Sequence, residues 1–122
     1  MPLRILVIDD ELSIRSSLCG YLEDFGYDVL STDTAESGLE LIRDIDFDVV
    51  IADLRLPKMS GDMMIIKAHT LKPGLCFLIH TGSVDYELSK DLRNIGVLPE
   101  HVLHKPQPDL HNFIEQIKKL TR

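Results

Sequence analysis

The sequence predicts an α/β fold: a doubly wound parallel sheet of five strands with helices on both faces. Three observations carry that prediction. The apolar runs are short, rich in Val, Ile and Leu, and unbroken on either face, as in strands covered from both sides. Stretches with apolar residues three and four apart alternate with these runs. Four runs also end in charged or hydroxyl residues: Leu3 to Ile8 leads into Asp9, Asp10 and Glu11, Val49 to Ala52 into Asp53, Leu75 to His80 into Thr81, and His101 to His104 into Lys105 and Pro106.

The first run is the first strand. Leu12, Ile14, Leu18, Tyr21, Leu22 and Phe25 then recur at helical spacing up to Gly26, a suitable C-terminal cap. A second strand is expected at Asp28 to Ser31, and the helix after it opens near Thr32 or Thr34, with Ala35, Leu39, Leu41 and Ile42 apolar. The third strand runs from Asp48 to Ala52. Pro57 and Gly61 punctuate the loop that follows Asp53. Asp62 is expected to cap the third helix, whose apolar members are Met63, Ile65, Ile66, Ala68 and Leu71. Pro73 and Gly74 then turn the chain into the fourth strand. A fourth helix is expected after Ser83, a fifth strand before Lys105, and a last helix from Asp109 to Leu120 with Leu110, Phe113, Ile114 and Ile117 inward. Right-handed crossovers with helices on both faces select the flavodoxin-like strand order 2-1-3-4-5 at this length.

A chain of 122 residues, 44% of them hydrophobic, fits one domain over residues 1–122. A formal charge of -7 argues against nucleic-acid binding by this segment, since phosphate backbones call for clustered Lys and Arg. Cys19 and Cys76 lack metal-ligand spacing and read as small buried hydrophobes. No apolar run approaches the ~20 residues of a membrane span, and no signal-peptide pattern opens the chain, so a cytoplasmic location is expected. His69, His101 and His111 are expected to face solvent, and no His/Cys spacing suggests zinc.

In the predicted strand order, strands one and three are neighbours, so Asp9, Asp10 and Asp53 share a corner outside the strand ends. Carboxylates that crowd together repel unless a cation compensates. Hard oxygen ligands suit Mg²⁺, which also keeps water or phosphate oxygens in its shell. An aspartate beside such an ion can attack phosphorus and carry an acyl phosphate, and Asp53, ending the middle strand, is the candidate. The transition state needs a fixed positive charge and hydrogen-bond donors, for which Lys105 and Thr81 are placed. Gly82 leaves room for the phosphoryl group.

These residues together resemble the receiver domain of two-component response regulators, over essentially the whole chain. The family's acidic pair falls on Asp9 and Asp10, its phosphoacceptor on Asp53, its loop Pro and Gly on Pro57 and Gly61, its switch hydroxyl on Thr81, and its lysine with a cis proline on Lys105 and Pro106. Each dipeptide alone is common, but five in order at the right strand ends are specific. The resemblance implies that Asp10 and Asp53 contact Mg²⁺ directly, Asp9 mostly through water, and that the Arg55 backbone carbonyl completes the protein ligands. It implies a histidine kinase or phosphotransfer protein as donor. It further implies an output surface on the fourth helix, fifth strand and last helix, meeting an output domain or a second copy. No turnover of an external metabolite is expected.

The chain departs from the family pattern in two places. Val102 stands where Tyr or Phe is usual, three residues before the lysine, and has no ring to follow the threonine. The connection from Gly96 to Lys105 is longer than the family's usual spacing and contains Pro99. Arg55 and Ser83, two residues past Asp53 and Thr81, flank the expected pocket mouth.

Three other functions compete. A phosphohydrolase with an aspartyl nucleophile would place Asp-x-Asp after the first strand, and a flavin carrier would need a hydroxyl- and Gly-rich phosphate loop there. A pseudo-receiver would keep the fold as an interaction surface; the intact acidic set opposes it and Val102 favours it. Finally, His80 and His104, each just before a site residue, are expected to share the face of the sheet opposite the site, with at least one titrating below the ordinary histidine value.

Overall fold

The computed structural model describes residues 2–122. Its elements are β1 (Arg4–Ile8), α1 (Leu12–Asp24), β2 (Asp28–Thr32), α2 (Ala35–Asp44), β3 (Val49–Ala52), α3 (Gly61–Leu71), β4 (Cys76–Thr81), α4 (Lys90–Asn94), a 3₁₀ turn (Pro99–His101), β5 (Val102–His104) and α5 (His111–Leu120). All strand pairs are parallel and the order is β2-β1-β3-β4-β5, as the crossover rules predict.

Alternation along the strands divides the core in two. Leu6, Ile8, Val50, Ala52, Phe77 and Ile79 pack against Ala35, Leu39 and Ile42 of α2, Met64, Ile65 and Ala68 of α3, and Leu92 of α4. On the other face, Ile5, Val7, Val49, Ile51, Leu78 and Leu103 meet Leu18 and Leu22 of α1 and Phe113, Ile114 and Ile117 of α5. β3 is buried along its whole length and β1 from Ile5 onward, which explains their apolar runs.

Several local expectations need correction. Thr34 caps α2, accepting from the Ser37 N–H at 3.1 Å, but α3 is capped by Ser60, whose Oγ accepts from the Met63 N–H at 3.2 Å, and not by Asp62. Asp62 already lies inside the first turn. The fourth helix begins at Lys90 instead of just after Ser83; Ser89 accepts from the Leu92 N–H, and only five residues are helical. α5 starts at His111, after Asp109 has accepted its N–H at 2.9 Å. Leu12 on α1, Phe25 at its C-cap, and Met63 and Leu71 on α3 are exposed, because each helix turns only a narrow stripe toward the sheet. Cys19 and Cys76 are half-buried free thiols, both with pKa raised by burial. His101 is buried, and its Nδ1 accepts the Leu98 N–H at 3.0 Å. His111 is partly buried against Phe25, its Nδ1 3.4 Å from the Tyr21 hydroxyl, and His69 is partly covered as well. Burial lowers the His101 pKa.

Candidate functional site

Asp9 follows β1 and is 2% exposed; its N–H bonds the Thr32 carbonyl at 3.1 Å, fixing the turn between β1 and α1 against β2. Asp53 follows β3 and is 5% exposed, with its N–H on the Ile8 carbonyl at 2.9 Å. Main-chain ladders extended one residue beyond the strands therefore place both carboxylates side by side. Asp10 joins them: one ligand oxygen from each of Asp9, Asp10 and Asp53 lies within 4.8 Å of the others. Asp10 is the exposed member.

Lys105 closes the corner. Its Nζ lies 2.9 Å from Asp9 Oδ2, 3.1 Å from Asp53 Oδ2 and 3.8 Å from Glu11 Oε2. Burial by itself would lower the pKa of this ammonium, but the hydrogen bonds and charges of Asp9 and Asp53 outweigh it and raise the value, so Lys105 stays charged. The remaining carboxylate oxygens are held by main chain: Asp9 Oδ1 accepts from Glu11 N–H at 2.9 Å and Asp53 Oδ1 from Arg55 N–H at 3.1 Å. The Lys105–Pro106 peptide is cis.

Thr81 ends β4 fully buried, and its carbonyl accepts the Lys105 N–H at 2.7 Å. Its Oγ1 accepts from the Ser83 N–H at 3.1 Å, which leaves the hydroxyl hydrogen free to donate elsewhere. A Cβ on Gly82 would meet nothing within 4 Å among the described residues, so that side of the pocket is open. Gly61 is needed for the opposite reason. A Cβ there would come within 2.8 Å of Leu54 Cα and strike the Asp53 carbonyl oxygen, and the Gly61 N–H bonds the Leu54 carbonyl at 3.0 Å. The loop thus folds directly under Asp53. The Arg55 side chain is exposed, and Lys58 takes φ 68, a left-handed turn uncommon for lysine.

Two contributors escaped sequence reading. Glu11 approaches Lys105, and Arg15 donates from Nη1 to the Asp9 carbonyl at 2.7 Å. The four-residue spacing of Glu11, at the N-cap of α1, and Arg15 in its first turn was the available signal. The expectation for the histidines fails in its geometry. Cα partners pair His80 with Leu103 and Thr81 with His104, so His80 and His104 leave the sheet on opposite faces. His80 is buried and titrates at about 4, because burial and then the Lys105 charge disfavour its imidazolium. His104 is exposed.

A buried acidic corner with an invading lysine, at the switch point of a doubly wound sheet, defines an α/β domain built around a charged pocket. The response regulator receiver domain model matches residues 5–118, and the chain belongs to that family. A crystallised CheY-like receiver domain protein from Methanospirillum hungatei is 35% identical, with a TM-score of 0.88 over 98% of this chain and 94% of that one. The transcriptional regulatory protein ZraR of Escherichia coli is 31% identical over 94 residues, 77% of this chain and 21% of its own length. The cell cycle response regulator CtrA of Brucella ovis is 30% identical over 104 residues, 85% of this chain and 44% of its own. The chain therefore spans less than half the length of these curated relatives. No helix among the described residues is long and apolar enough to cross a membrane.

Proposed function

We propose that this receiver domain takes a phosphoryl group onto Asp53 from a histidine kinase or phosphotransfer protein in the cytoplasm. The observation that carries the reading is the buried Asp53 carboxylate held against Lys105 at 3.1 Å, beside Asp9 and Asp10. Asp53 acts as nucleophile: its oxygen forms a bond to phosphorus as the donor's nitrogen–phosphorus bond breaks, leaving an acyl phosphate and a neutral donor imidazole. Lys105 meets charge on the equatorial oxygens, and the free hydroxyl hydrogen of Thr81 donates to one of them. Three clustered carboxylates are a donor set for a hard cation; Asp10 and Asp53, with Asp9 through water and the Arg55 carbonyl, would hold Mg²⁺. When bound, Mg²⁺ offsets the repulsion between these carboxylates and the incoming phosphoryl oxygens.

The domain completes its own phosphorylation and loses the group by hydrolysis, without turning over a metabolite. Its output leaves through α4, β5 and α5, toward an output domain or a second copy. Val102 cannot follow Thr81 there as a ring would. Intact mass after incubation with Mg²⁺ and acetyl phosphate should show one added phosphoryl group, absent in Asp53→Asn. Uptake that persists in Asp53→Asn would move the site, and no uptake in the wild type would favour a pseudo-receiver.

A further inference from the structure

The C-terminal halves of α2 and α3 leave an open groove of about 370 Å³ between them, toward the end of the sheet opposite Asp53. Leu39, Ile66 and Leu71 give it an apolar lining, and Leu71 is 40% exposed. Leu71 also lines a second hollow of about 270 Å³ with Ile42, Phe47 and Leu75, so the apolar surface continues past the end of α3. An exposed leucine at the junction of two apolar hollows is surface that a partner would cover. The charges on this groove run against those of the chain. The formal net charge is -7, yet the charged side chains that line the groove are Arg43 from α2 and Lys67 from α3. Glu36, Glu40 and Asp44 of α2 and Asp62 of α3 do not line it. Among the described residues neither Arg43 nor Lys67 forms a salt bridge; the paired cations are Arg4, Lys72 and Lys105.

We propose that this groove docks an amphipathic helix of a partner protein, one whose apolar stripe is flanked on both sides by Asp or Glu. The two cations stand on opposite walls, one on each helix, so carboxylates on both sides of the stripe meet them while the stripe covers Leu39, Ile66 and Leu71. Both walls are helices whose backbone groups are closed in their own ladders, so no strand edge is offered and the ligand has to satisfy its own backbone. Thr70 adds no further demand, because its hydroxyl already donates to the Ile66 carbonyl at 3.1 Å. Charge narrows the partner further. A nucleic acid or an anionic bilayer would meet the field of the whole chain at -7, whereas a single acidic helix meets chiefly Arg43 and Lys67.

The test uses the full chain, ¹⁵N-labelled, titrated at physiological salt with two synthetic peptides of roughly 18 residues, long enough to be partly helical alone. Both carry leucine at alternating spacings of three and four; one flanks that stripe with glutamate and the other with lysine. The glutamate peptide should shift the amides of Leu39 to Arg43 and Ile66 to Leu71 saturably and, read at those amides, bind at least tenfold more tightly than the lysine peptide. Repulsion by a chain of net charge -7 works against that preference, so it can come only from the groove. The double variant Arg43→Glu with Lys67→Glu, both exposed positions, should invert the preference once its melting transition shows that it folds. Equal affinities, shifts confined to α4, β5 and α5, no saturable shift, or a preference that survives in the double variant would overturn the proposal. So would sedimentation showing that the chain alone self-associates and that the double variant does not, which would give the groove to a second copy. Binding is read on α2 and α3, so these outcomes are independent of whether Asp53 accepts a phosphoryl group.

Discussion

The ends of β1 and β3 and the ends of β4 and β5 differ in how tightly they are built. At the first pair, Asp9 and Asp53 are each held by a ladder N–H, a main-chain donor to one carboxylate oxygen and the Lys105 ammonium on the other. At the second, eight residues from Gly82 to Ser89 separate β4 from a five-residue α4, and Val102 opens on a cavity of about 360 Å³ shared with Tyr86 and His104. Among the described residues, one side-chain hydrogen bond ties the loop to another element, from the Tyr86 hydroxyl to Asp62 Oδ1 at 3.2 Å, while Leu88 reaches the core. Under the proposed function, the chemistry needs fixed groups and the output needs ones that can move, and the two demands fall on neighbouring strand ends.

The largest effect that could break this comparison comes from Lys105→Met, which keeps the stem and removes the charge. It leaves two nearly buried carboxylates uncompensated, and the expected loss in a chelator is on the order of 3–5 kcal/mol by urea unfolding. Added Mg²⁺ should recover part of it. An unchanged midpoint would mean that the ammonium does not hold the corner together.

Acid should act next, through His80 on the opposite face. Its folded pKa of about 4 lies below the ordinary 6.5, so the unfolded chain binds the proton first as pH falls. The stability this contributes is present in full above pH 6.5 and is lost progressively down to about pH 4, a total on the order of 3 kcal/mol. His80→Leu should flatten the decline across that window; the same slope in both proteins would assign it elsewhere.

Tyr86→Phe should have the smallest effect, about 1 kcal/mol, since one half-exposed hydrogen bond is lost and Asp62 can turn to water. Its sharper signature is local. Amide exchange should quicken across Gly82 to Ser89 and stay unchanged at Asp53 and Arg55, and faster exchange at both ends of the sheet would dissolve the contrast between them.

The acidic corner was legible because fully buried parallel strands announce themselves as apolar runs, and the residue after each run has to sit at the crevice. Asp9, Asp53, Thr81 and Lys105 follow from that alone. The β4–α4 region was not legible for local reasons. Ser83 and Ser89 are both plausible caps, and which one starts a helix depends on Leu92 reaching the core, a tertiary fact. The separation of His80 from His104 was hidden more deeply. Alternation fixes the faces within one strand, but the pairing of Thr81 with His104 is a register between two strands, and a shift of one residue exchanges every side. The burial of His101 likewise depends on the 3₁₀ turn that folds it back onto Leu98.

The loop folded under Asp53 carries a consequence for descent. Every single-nucleotide missense change in a glycine codon adds a side chain, and at Gly61 the first carbon of any side chain meets the backbone of Leu54 and Asp53. Drift at that position is therefore closed in all directions at once, whatever the new residue's polarity. Lineages that keep Asp53 at this depth are bound to keep a glycine beneath it, while the exposed Arg55 side chain meets no such wall and is free to vary.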